Sequence, residues 1–235
     1  MSELLGALGN AWLRLLLYPG GLSAMLAAFI LMRLRGVRHL KRPTSAGLLD
    51  LLPPLCVITL LPLAPAAPFP YGLDLLTAML LLLWPALRRA ATERAEPQSL
   101  AAQYIPMALA ALNLASAANT LELSGLLRWP PEPARQVAFV LGAGAWIAAV
   151  PRLVPPHPEL ASACSALGLL LIGTLPLIAG ISVIAAATPA WLVVAAAMAL
   201  ATAGIVGFQR LPAQWTYLWA GAALIAAGGV MIAPR

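Results

Sequence analysis

The chain has 235 residues, of which 62% are hydrophobic and only 9% charged, with a net charge of +6. A soluble domain carries about a quarter charged residues, so this composition excludes a water-soluble globular enzyme. It also argues against nucleic acid as a partner, because the basic residues flank apolar segments and do not form a patch on a folded domain.

Eight apolar blocks follow one another at 14–33, 46–65, 71–90, 101–121, 135–151, 160–186, 190–208 and 214–233. Each is long enough for a helix to cross a hydrocarbon core of about 30 Å. The alternating segments of a β-barrel are absent, and helices are the remaining way to satisfy a backbone in lipid. The predicted fold is an all-α integral membrane protein, a single domain of about eight transmembrane helices over residues 1–235. Glu3 precedes any basic residue and Arg14 interrupts the first apolar run, so a cleavable signal peptide is not expected.

The first block contains Pro19-Gly20-Gly21, which predicts either a kink or a helix that starts near Tyr18. The second contains Pro53-Pro54 and predicts a bent helix, with Pro62, Pro65, Pro68 and Pro70 stiffening the turn that follows. The fourth is the most polar, with Asn113, Ser116 and Thr120 at helical spacing and Asn119 and Glu122 beside them. Such a stripe is expected to face the bundle interior, as interhelical hydrogen bonds or as the lining of a hydrated path. Blocks six to eight are rich in Ala and Gly and read as packing surface, toward neighbouring helices or partner subunits.

Ten of the fourteen Lys and Arg residues fall in the first, third, fifth and seventh loops: Arg33, Arg35, Arg38, Lys41, Arg42, Arg88, Arg89, Arg94, Arg152 and Arg210. The positive-inside rule then places these loops in the cytoplasm and both termini on the outer, periplasmic side of a multi-pass inner-membrane protein. Trp12, Tyr18, Tyr71, Trp84, Trp129, Trp191 and Trp215 fall near predicted helix ends, as interfacial aromatics do. Cys56 and Cys164 read as small buried side chains.

Glu93 and Glu96 share the third loop with Arg88, Arg89 and Arg94 and are expected in solvent. Asp50, Asp74, Glu122 and Glu159 lie at predicted helix ends. An acid at the membrane is a functional candidate, since desolvation raises its pKa toward neutrality. A plain structural reading competes for each, because Asp50 and Glu159 sit near helix N-termini, where a carboxylate is favoured. With Asn113 they form the candidate proton path. No HExxH, GxSxG, P-loop or CxxCH motif occurs, and His39 and His157 are far apart, so neither catalysis nor a metal site is expected of this chain alone.

Three stretches together resemble the family of NADH-quinone oxidoreductase membrane subunits that wall the quinone chamber, and the related membrane subunits of formate hydrogenlyase and membrane-bound hydrogenases. RLRGVRHLKRPTSAGLLDLL (33–52) is similar to that family's basic first loop and leucine-rich helix start, with Asp50 at its Asp. AAQYIPMALAAL (101–112) is similar to its SYExP helix through Tyr104 and Pro106. VPPHPELASACSALGLLLIGTLPLI (154–178) resembles its acidic fifth loop and the next helix, with Glu159 at one of the acids. The likeness covers residues 10–190, without the family's Glu-Arg-Lys after helix one, its Gly-Pro, the acid after Tyr104, and all but one acid of loop five.

The resemblance implies a membrane-anchoring subunit of a multisubunit oxidoreductase. Its partners would be other membrane subunits and a cytoplasmic iron–sulfur redox arm, in contact with the lipid bilayer. This chain would bind no cofactor of its own; a quinone would contact it at a subunit interface. Arg33, Arg35, Arg38, Tyr104, Arg152 and His157 are the residues expected to meet the quinone or the partner arm. A structural subunit of some other membrane complex and a small-molecule or ion transporter stay open as alternatives.

Overall fold

The computed structural model describes residues 21–37, 49–63, 73–92, 97–153 and 158–232. Among them are eight α-helices: α1 (Gly21–Leu34), α2 (Leu52–Leu60), α3 (Leu75–Thr92), α4 (Pro97–Ala118), α5 (Pro133–Leu153), α6 (Leu160–Ile184), α7 (Ala190–Gln209) and α8 (Ala213–Ile232). A 3-10 turn over Leu123–Leu127 joins α4 to α5. The expected all-helical bundle is present, one helix for each apolar block.

Four of these helices are long and apolar enough to cross a membrane: α3, α5 as far as Pro151, α6 and α7. On that ground the chain is a membrane protein. The described part of α2 has nine residues, about 14 Å at a rise of ~1.5 Å per residue, which does not span a bilayer. Pro53-Pro54 does not bend this helix but starts it, in the first turn, where the missing N–H costs nothing. Pro19 and Gly20 lie outside the described residues.

α6 is the core helix. Seventeen of its 25 residues are buried inside the bundle, against four of 20 in α7. It packs against α1, α2, α3, α5 and α7, while α4 and α8 cover the other side of α5. Trp146 of α5 is fully buried, and its indole Nε1 donates to the Leu169 carbonyl of α6 at 2.7 Å. Close approach is possible because Gly173 faces the ring; a Cβ there would stand 2.8 Å from Trp146 Cδ1. Small residues in these helices thus serve close helix packing, as their composition implies.

Local chemistry ends the helices. At α1, Gly36 adopts φ +83°, and the Gly36 and Val37 amides donate back to Arg33 and Met32. Asn119 at φ 55° ends α4 in the same way, through Asn119 and Thr120 amides on Ser116 and Ala115 carbonyls. Both are Schellman closures, which need a residue that tolerates the left-handed region.

Large apolar side chains remain on the outside, among them Trp191 at 69%, Ile184 at 88% and Ile225 at 78% exposure. Cys164 is buried, but Cys56 is exposed on α2, contrary to the expectation of two buried cysteines. Cys56 lies on an apolar helix whose outer face meets the surroundings of the bundle, and apolar composition alone does not separate the two faces.

Candidate functional site

One end of the bundle gathers the C-terminal ends of α1, α3, α5 and α7 with the N-terminal ends of α2 and α6. The α3 helix continues through Leu87-Arg88-Arg89-Ala90-Ala91, all good helix formers, as far as Thr92. Arg88 and Arg89 are therefore helical residues and not part of a solvated loop. Arg88 Nη1 meets Asp50 Oδ1 at 2.6 Å, with the carboxylate side chain 15% exposed and the arginine 40%. Arg89 Nη2 donates to Ser162 Oγ in the first turn of α6 at 2.9 Å. Arg89, Ser162 and Ser165 line a narrow cleft walled by Leu82, Leu83, Leu153 and Leu169.

Arg35, just past α1, clasps three helices at the same end. Its Nη2 donates to the Pro151 carbonyl of α5 and its Nε to Gln209 Oε1 of α7, both at 3.4 Å. Gln209 Nε2 returns a bond to the Arg35 carbonyl. Burial lowers the Arg35 pKa from its ordinary value. Guanidinium nonetheless stays charged, and the C-terminal ends of α1, α5 and α7 present their negative dipole ends to it. Arg33 is exposed, its guanidinium 4.8 Å from the Phe29 ring centroid.

The opposite end carries acids. Asp74 and Glu122 face each other in an isolated antiparallel bridge, with the Leu75 amide on the Leu121 carbonyl and the Leu123 amide on the Leu73 carbonyl. Asp74 N-caps α3: its Oδ1 accepts from the Thr77 amide at 2.8 Å. Hydrogen bonds from the Thr77 side chain and amide hold the Asp74 carboxyl below its usual pKa. Glu122 Oε2 accepts from Ser124 Oγ at 3.2 Å.

Between the ends, Asn113 is 1% exposed and its Nδ2 donates to the Ala138 carbonyl of α5 at 2.9 Å. Its Oδ1 and the buried Ser116 Oγ, one turn along the same helix, have no hydrogen-bond partner among the described residues. The inner half of the polar stripe thus faces the bundle interior, while Asn119 and Glu122 are exposed.

The candidate proton-path residues fall into separate places. Asp74 and Arg88 stand at opposite ends of α3, about 21 Å apart by helical rise. The Asp50 pair and the Asp74–Glu122 bridge are accordingly on opposite sides of the bundle. Glu159 occupies the N-cap position of α6 without a side-chain cap bond. Tyr104 of α4 is partly buried and within electrostatic reach of Arg89. Arg152 lies in α5, with its side chain outside the described residues; Arg38 and His157 lie wholly outside them. Among the described residues no three His, Cys, Asp or Glu side chains gather to hold a metal.

Sequence reasoning missed Arg88, Arg89 and Ser162 as site residues. The available signal was the run of good helix formers around the two arginines, which carries α3 past its apolar block to the height of α2 and α6. No family model matches the chain, and the comparisons with curated proteins and with solved structures gave no match.

Proposed function

We propose that the chain is a membrane-anchoring subunit of a multisubunit oxidoreductase of complex-I-like or hydrogenase-like type. In this reading the basic end faces the cytoplasm and docks an iron–sulfur redox arm. Both termini face the periplasm, as in a multi-pass protein of the inner membrane. Protons are relayed, or a quinone is contacted, beside Asp50, Arg88 and Tyr104.

The observation that supports it is the sorting of polar contacts. Arg35, the Asp50–Arg88 pair and Arg89–Ser162 occupy one end, and Arg33 is exposed there, offering an acidic partner a basic face. The test is a mild-detergent affinity purification of the tagged native protein, with partners identified by mass spectrometry. Co-purifying iron–sulfur or hydrogenase-like subunits are expected, and Asp50→Asn should then reduce proton translocation by the assembled complex. A chain that purifies alone would sink this reading.

A second reading, a structural subunit of a different membrane complex, draws on α7. Ala195, Ala199, Ala203 and Gly207 form an exposed stripe of small residues at successive turns. Such a stripe suits close packing of a further helix in lipid. The same purification separates the two readings by the identity of the partner.

A further inference from the structure

We propose that the Arg89–Ser162 cleft binds a phosphate oxygen of an anionic phospholipid. The donors of the cleft are the Arg89 guanidinium and the Ser162 hydroxyl. Arg89 uses one of its N–H groups on Ser162 Oγ, and a guanidinium has five. Ser162 is 6% exposed, accepts that bond, and has no acceptor for its own hydroxyl proton among the described residues. Ser165 is 8% exposed and gives its proton to the Ala161 carbonyl at 3.0 Å, so it adds no donor to the cleft. Arg88, the neighbour of Arg89, has Asp50 as its carboxylate, whereas Arg89 has no carboxylate partner among the described residues.

These donors suit a group that only accepts, and arginine forks match phosphate oxygens. The height is that of a headgroup. Arg89 lies in the last turn of an apolar 18-residue helix, and the cleft walls include Leu82, Leu83, Leu153 and Leu169. The cleft is narrow, with room past the side chains for roughly one water-sized group. One phosphoryl oxygen enters, and the rest of the headgroup stays at the mouth with its acyl chains in the bilayer.

The experiment uses the full chain purified in mild detergent. Retained phospholipid is identified by mass spectrometry, and thermal stability is followed as phosphatidylglycerol, phosphatidylcholine or inorganic phosphate is added. Phosphatidylglycerol should be retained and should raise the melting temperature, with phosphatidylcholine and inorganic phosphate much weaker. Arg89→Gln should need on the order of tenfold more phosphatidylglycerol for the same shift, from loss of a charge-assisted contact. Ser162→Ala should fall between it and the native chain, and Arg210→Gln should behave as native. If Arg89→Gln does not fold, Arg89→Lys and Ser162→Ala carry the comparison. An undiminished response in these variants, an equal effect of inorganic phosphate, or recovery of quinone in place of phospholipid would overturn the proposal.

Discussion

Arg88 and Asp50 meet at 2.6 Å across a chain separation of 38 residues, and they tie the end of α3 to the start of α2. The pair is partly exposed, so its stability contribution is about 1 kcal/mol or less. Asp50→Asn should lower thermal stability by that amount at low salt and by less at high salt. Arg88→Gln should cost more, because Arg88 makes at least one further interaction. A double-mutant cycle on thermal unfolding measures the coupling, and a coupling of zero would show that the contact is incidental.

The α5–α6 contact is closely packed around Trp146. Gly173→Ala places a methyl 2.8 Å from the Trp146 ring and 3.3 Å from Ile147 Cγ1. Overpacking of this kind costs about 1–3 kcal/mol. A clear drop in melting temperature is expected, read by tryptophan fluorescence. An unchanged melting temperature would mean that the two helices stand further apart.

Asp74 makes stability depend on acid. Its folded pKa is depressed, so its contribution is present above the usual carboxylate range and is lost as pH falls through the folded value. Asp74→Ala should cost about 1 kcal/mol at neutral pH, the typical value of an N-cap. That difference from the native chain should close in strong acid. Asp74→Asn keeps an acceptor for the Thr77 amide and should lose less, with no such pH dependence. Unfolding curves across acid pH check the sign.

The α7 stripe separates assembly from folding. A Cβ at Gly207 would meet nothing within 4 Å. Gly207→Leu should therefore leave the isolated chain within about 0.5 kcal/mol of native stability. If a partner helix packs on this face, the same substitution should abolish co-purification of that partner. Retention of every partner would assign the face to lipid.

What the sequence by itself determined is what depends on each segment alone. Transfer of a helix into lipid depends on its own length and hydropathy, so eight helices were legible, and so was the concentration of arginines at one set of helix ends. The rotational setting of each helix was not. Several of these helices are apolar all round, so their hydropathy says little about which face turns inward. Cys56 turned outward and Cys164 inward for that reason. Only the tertiary packing put Arg89 beside Ser162, Asp74 opposite Glu122, and the Trp146 indole on the Leu169 carbonyl. These are contacts between distant segments, decided by where small residues let two backbones approach, and lipid as a solvent imposes no pattern on the sequence that would announce them.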